Sequence, residues 1–210
     1  AYGVNTCAVD TRIFDCVIDA SGASGVLLTQ SEDGGAGGPK QVPRVSNFVI
    51  RASTISSNLY NGLGFALYWY NVAYPDIPIV VEDCLIEGNS GPRGGGIADA
   101  WGTSADGSSG VQVRRCVIKR NSASSMAGGV YLHTSRNPSV SQCTITDNRS
   151  SGQGGGAYLS GGKLENCIVI RNEATHGGGV RGGTVQNCSV LNNTASVFGG
   201  GAYASAFYNS

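Results

Sequence analysis

The residues in this chain of 210 that could carry out acid–base chemistry are scattered rather than grouped. Asp76, Glu82, Asp83, Glu87, Asp99 and Asp106 are the carboxylates of interest, with Arg93 and Lys119 near them in sequence. Carboxylates gathered beside an Arg or Lys on one face can cleave or epimerise a polysaccharide, often around calcium. Here they fall mostly in the irregular stretches and include no paired-Asp motif. His133 sits in a variable turn, and His176 precedes Gly177-Gly178-Gly179. A turn role therefore explains each histidine before a catalytic one does. The spacing of the cysteines matches no zinc or haem pattern, so no cofactor is expected.

The cysteines belong instead to a repeat. A cysteine strand, an asparagine and a glycine cluster return together along the chain. One copy runs Cys84-Leu85-Ile86-Glu87-Gly88-Asn89 and then Gly94-Gly95-Gly96-Ile97. The last copy runs Cys188-Ser189-Val190 to Asn193 and then Gly199-Gly200-Gly201-Ala202-Tyr203. The anchors are Cys16, Asn47, Cys84, Cys116, Cys143, Cys167, Cys188 and Ser210, and the step shortens to 21 or 22 residues at the end. That is too short for a pair of helices and suits three short strands joined by turns. The longer early steps then read as turn insertions at 29–44, 53–80 and 97–112.

Periodicity gives the phase. Ile18, Val49, Ile86, Ile118, Ile145, Val169 and Val190 lie two positions after an anchor and share its inward direction. Ile13, Val81, Val113, Val140, Leu164, Val185 and Phe207 lie three before, with Arg44 the exception. The odd offset predicts a bend just ahead of each anchor. Asn89, Asn121, Asn148, Asn172 and Asn193 lie five after; asparagine tolerates left-handed backbone angles and can bond its neighbours' backbone, which suits a turn stacked coil on coil. The predicted fold is all-β: a right-handed, single-stranded parallel β-helix of about seven to eight coils, in one domain spanning 1–210. Cys16, Cys84, Cys116, Cys143, Cys167 and Cys188 become an inward ladder of small hydrophobes, and oxidation between neighbouring coils stays open. Cys7 lies off that ladder, and its pairing is open too.

Ile86-Glu87-Gly88-Asn89, Ile145-Thr146-Asp147-Asn148, Gly155-Gly156-Ala157-Tyr158 and Gly200-Gly201-Ala202-Tyr203 resemble the repeats of polymorphic outer-membrane-protein passengers. Asn166-Cys167 and Asn187-Cys188 are similar to segments of long bacterial surface β-helix proteins. The resemblance covers most of the chain and implies the architecture rather than an activity. The Asn-Thr-Asp, Asp-Asp and Gly-His-Gly motifs of polygalacturonase-like enzymes are absent.

Formal charge is zero and charged residues are 13% of the chain, with no basic stripe, so nucleic acid is not an expected partner. No run of 18 apolar residues exists to span a membrane. The ends look like complementary halves of one coil, which suggests a processed unit or an excerpt, and end-to-end association. Asn148, Asn187 and Asn192 match the N-glycosylation pattern, which chance explains in an Asn/Ser-rich chain. Arg120, Asp147 and Arg171, four after their anchors, predict an outer column of alternating charge.

Two surface features stand out. One is the outward column Val17, Phe48, Leu85, Val117, Thr144, Ile168 and Ser189, with Ile50, Ile170 and Leu191 beside it. Such a stripe needs an insertion or a partner to cover it. The other is the aromatic insertion around Tyr68-Trp69-Tyr70, an interface anchor or a glycan platform. The favoured function is a non-enzymatic structural or adhesive protein outside the cell or on its surface, self-assembling end to end and also sideways. The second reading is a polysaccharide-binding or polysaccharide-cleaving protein.

Overall fold

The structure is a computed structural model that describes residues 4–6, 10–19, 22, 24–29, 47–66, 79–99, 110–133 and 137–210. These residues form short strands in four parallel sheets and contain no helix. One turn of the coil passes through all four. Leu85–Glu87 follows the anchor, Ser90–Arg93 follows the asparagine, Ile97–Ala98 follows the glycine corner, and Val111–Arg114 leads to the next anchor. We call these the anchor, short, post-glycine and pre-anchor sheets. Each strand pairs in parallel with its equivalents one coil away, giving sheets of seven, five, eight and eight strands. The predicted three-strand coil is thus a four-strand coil, because the stretch between the asparagine and the glycines is itself extended.

The core is a set of columns, one residue per coil. Ile13, Ile50, Val81, Val113, Val140, Leu164, Val185 and Phe207 align in register on the pre-anchor sheet. On the anchor sheet Ile18, Ile55, Ile86, Ile118, Ile145, Val169 and Val190 align. On the post-glycine sheet the column is Val26, Leu63, Ile97, Val130, Ala157, Val180 and Ala202. Nearly all are buried, in one continuous cluster. No coil could bury this surface alone, so cohesion comes from stacking at about 4.8 Å per coil.

These registers correct the second coil. Its anchor is Ser53, not Asn47: Thr54 pairs with Val17 and Leu85, and buried Ser53 takes the cysteine's place. Asn47 and Phe48 lie in the pre-anchor sheet, opposite Asp10 and Thr11. Phe48 and Val49 therefore leave the anchor columns. Ile50 becomes the fully buried residue three before the anchor, which removes both the Arg44 exception and the outward placing of Ile50. The insertions shrink accordingly. Within 53–80, Thr54–Ser56 and Leu63–Ala66 are regular strands, and within 97–112 so are Ile97–Ala98 and the start of Val111–Arg114. The insertion segments 30–46, 67–78 and 100–109 lie outside the described residues, as do Asp76, Asp106, Tyr68, Trp69 and Tyr70.

The bend ahead of each anchor is where the odd offset puts it. Asp15, Ala52, Asp83, Arg115, Gln142, Asn166, Asn187 and Asn209 all have φ between 49° and 55°. A second left-handed column follows four after the anchor: Ser57, Gly88, Arg120, Asp147, Arg171 and Asn192, at 52° to 63°. The ladder asparagines come one residue later and are not in the left-handed region. Turn chirality is thus carried by exposed residues of several types, and asparagine is needed for another reason.

Candidate functional site

That reason is hydrogen bonding. Asn58, Asn89, Asn121, Asn148 and Asn172 are buried at successive coils, with half-buried Asn193 after them. The Oδ1 of Asn121 accepts both the backbone N–H and the Nδ2 of Asn89, each at 3.0 Å. The Nδ2 of Asn121 donates to Asn148 Oδ1 and back to the Ile86 carbonyl, both at 3.0 Å. The same pattern runs on through Asn148, Asn172 and Asn193. Each amide therefore ties three coils together, and its buried polar atoms are satisfied by the stack itself. Asn58, five after the true anchor Ser53, was hidden by the misplaced second anchor. The glycine corner is the other half of this device. A Cβ on Gly62, Gly96, Gly129, Gly156 or Gly179 would sit 2.9–3.2 Å from the amide of the ladder asparagine of the following coil.

The cysteines stack one per coil. Cys84, Cys116, Cys143, Cys167 and Cys188 are buried and free; Cys16, at the head of the column, is free and exposed. Each thiol lies over the carbonyl two residues back, and Cys116, Cys143 and Cys167 donate their backbone N–H to the next sulfur at 3.4 Å. Hydrogen bonding between neighbouring thiols, and then burial, pushes Cys84, Cys143 and Cys188 up. The same thiol contacts pull Cys116 and Cys167 down, against burial. Cys7 lies outside the described residues.

Outside, the expected column is present with Thr54 in place of Phe48. Val17, Val117 and Ile168 are exposed, Leu85 is half-buried, and Leu191 is exposed beside them. Among the described residues, Glu82, Glu87 and Asp147 are engaged in ion pairs. Glu82 lies buried beneath three guanidinium groups: it pairs with Arg51, with Arg114 Nε at 2.6 Å and with Arg115 Nη2 at 2.9 Å. Burial alone would push its carboxyl up, but hydrogen bonds from Arg114, Arg51 and Arg115 outweigh it and hold it below its ordinary value. Glu87 takes Lys119 and Arg120, and Asp147 takes Arg171 at 2.8 Å. Buried Asp99 accepts the backbone N–H of His133 at 2.7 Å. Among the described residues, no group of three or more His, Cys, Asp or Glu is placed to hold a metal.

The residues that sequence reasoning missed lie on either side of the glycine corner. On the post-glycine sheet the outward column is Ala98, Tyr131, Tyr158, Arg181 and Tyr203. At the end of the short sheet Arg93, Met126, Gln153, His176 and Phe198 align. The corner folds these two columns toward each other. Tyr131 and Ala127 form a small apolar cluster apart from the core, with Met126 and Tyr158 packed on it. His133 stacks on Tyr131 at 5.7 Å, and Tyr131 meets Tyr158 at 5.2 Å. The Arg181 guanidinium lies over Tyr158 at 5.4 Å and Tyr203 at 5.2 Å, with Nε donating to Gln153 Oε1 at 2.9 Å. His176 contacts Phe198 and Tyr203. The repeated residue two after the last corner glycine was the available signal, although it varies in type from coil to coil.

The stacked parallel sheets and the residue-per-coil columns define a solenoid of the parallel β-helix class. Residues 2–209 match the family described as right-handed beta helix region, and the chain belongs to that family. A search of curated proteins and a search of solved structures each find no match.

Proposed function

We propose that this chain is a stiff structural and adhesive element, working outside the cell or on its surface, that acts by presenting repeated side-chain columns rather than by turning over a substrate. The observation that carries this reading is the investment of buried polar groups in axial continuity. Six asparagines and five buried thiols are committed to joining coil to coil, and the carboxylates Glu82, Glu87 and Asp147 are engaged by arginine or lysine. Such a body resists bending because its coils are hydrogen-bonded along three sheets and, from the coil at Cys84 onward, along a fourth.

Self-association is part of the proposal. The outward column carries it: Val17, Val117 and Ile168 are exposed one above another on the anchor sheet and offer a lateral contact to a second copy. Among the described residues no helix is long and apolar enough to cross a membrane. Electron microscopy of the native material tests the reading: rods or filaments are expected. Isolated globular particles that release oligosaccharides from a polysaccharide, with release lost in Asp99→Asn, would replace it with an enzyme.

A further inference from the structure

We infer that Asn187 and Asn192 carry N-linked glycans. This deepens the reading above and rests on its placing of the chain outside the cell. The chain has three Asn-x-Ser/Thr motifs in which x is not proline, and the fold sorts them. Asn148-Arg149-Ser150 is closed to a sugar. Asn148 is buried, and its Nδ2 donates to the Ile118 carbonyl at 2.9 Å and to Asn172 Oδ1 at 3.0 Å. Ser150 is buried as well, and its hydroxyl donates to the Ser125 carbonyl at 3.1 Å. A glycan on Asn148 would have to lie in the interior and would break the ladder there. In Asn187-Cys188-Ser189 and Asn192-Asn193-Thr194 the acceptor asparagine and the hydroxyl residue are both exposed. Neither acceptor belongs to the ladder, which passes through Asn172 and Asn193 at these coils.

The two open sites sit at the outward turns on either side of one anchor strand, Ser189–Leu191. Asn187 has φ of 51° and Asn192 of 52°, each in one of the two left-handed columns that flank the anchors. Exposure belongs to these columns and not to one coil: Gln142 and Asn166, aligned with Asn187, are exposed, and so are Arg120 and Arg171, aligned with Asn192. A group attached at either turn points into solvent and crosses no sheet. Backbone preference does not by itself call for an acceptor, since the same columns take Ala52, Arg115, Gln142 and Arg171. In this coil a left-handed asparagine coincides with a hydroxyl two residues on, and it does so at both ends of the strand. Asn137 and Ser139 repeat that coincidence, but Pro138 between them bars transfer. Leu191, exposed beside the outward column, precedes Asn192, so a glycan there also covers apolar surface. The donor is a lipid-diphosphate oligosaccharide handled by a transferase. A C–N bond forms between the asparagine Nδ2 and the anomeric carbon, and the anomeric C–O bond breaks. The lipid diphosphate leaves with the electron pair, and the amide loses one proton.

The test is peptide mapping by mass spectrometry of the native protein, before and after a peptide N-glycosidase that hydrolyses the sugar–asparagine bond and leaves aspartate. The expected result is glycan mass on the peptides bearing Asn187 and Asn192, conversion of both to aspartate, and unmodified Asn137 and Asn148. Thr194→Ala should strip the glycan from Asn192 while leaving that asparagine in place, and Thr194→Ser should keep it. Asn192→Gln should fold and lose one glycan, because its amide joins no coils. A glycan on Asn148, or one retained on Asn192 in Thr194→Ala, would overturn the assignment. Unmodified Asn187 and Asn192 in protein recovered from outside the cell would overturn it too and leave the extracellular reading standing. Unmodified protein found only inside the cell would sink both.

Discussion

At the scale of single residues, the exposed surface holds the chain's chirality and charge, and both can be tested. Ala52 is exposed with φ of 49°, at a bend where other coils place Asp, Asn, Gln or Arg. An L-residue with a Cβ pays about 1–2 kcal/mol there. Ala52→Gly should raise stability by up to about 1 kcal/mol in denaturant melts, and a loss would show that the bend is held by something other than backbone preference. Glu82 has its folded value depressed, so its contribution is present above its ordinary value of 4.5 and is lost as pH falls through the lower folded value. Wild type should lose thermal stability from about pH 4.5 downward, more steeply than Glu82→Gln. At neutral pH that variant should be about 1–2 kcal/mol less stable, since its three arginines are part-exposed and can return to water. Parallel pH profiles for the two proteins would refute the arrangement. The thiols give a third test. The five ladder cysteines should resist a thiol reagent until the protein unfolds, while Cys16 reacts in the native state. Prompt labelling of all of them, or none free after unfolding, would contradict the buried reduced ladder.

At the scale of the repeating elements, the two faces of a strand should respond oppositely. Ile145 is fully buried and its neighbour Thr144 faces outward, half-exposed. Ile145→Asp should prevent cooperative folding or cost several kcal/mol, about 3 or more, whereas Thr144→Asp should cost about 1 or less. Equal losses would reverse the phase. Asn148→Ala should also be severe, about 3–5 kcal/mol, because it strands the N–H and Nδ2 of Asn121 and the Ile118 carbonyl in the interior. An effect under about 1 kcal/mol would mean that water replaces the amide. This is also the scale at which the sequence was most legible. Identical residues at fixed offsets report one shared environment, so the cysteine and asparagine columns were visible without coordinates. The second coil was misplaced because its anchor is Ser53, and because Asn47-Phe48-Val49 imitates the local pattern of an anchor. Of the two roles read for asparagine, backbone bonding is seen and the left-handed angle falls on the residue before it, which varies in type from Gly88 to Arg171. The tyrosine–arginine cluster was not legible at all: its members lie on two strands, and only coil register and the glycine corner bring Tyr158, Arg181 and Gln153 together.

At the scale of the whole molecule, the columns amount to one axial device, with a surface that differs from face to face. The thiol ladder lies closed inside the lumen, where reagents do not reach it. The exposed apolar column and the tyrosine–arginine column lie on different sheets. The proposed lateral association rests on the exposed apolar column from Val17 to Ile168. The most direct measurement of that claim is sedimentation equilibrium over a wide concentration range, for wild type and for Ile168→Asp. The account predicts reversible growth of the wild-type species with concentration and its loss in the variant, whose charge would sit within the apolar column. A wild-type protein that stays monomeric at every concentration, or a variant that associates as readily, would contradict it.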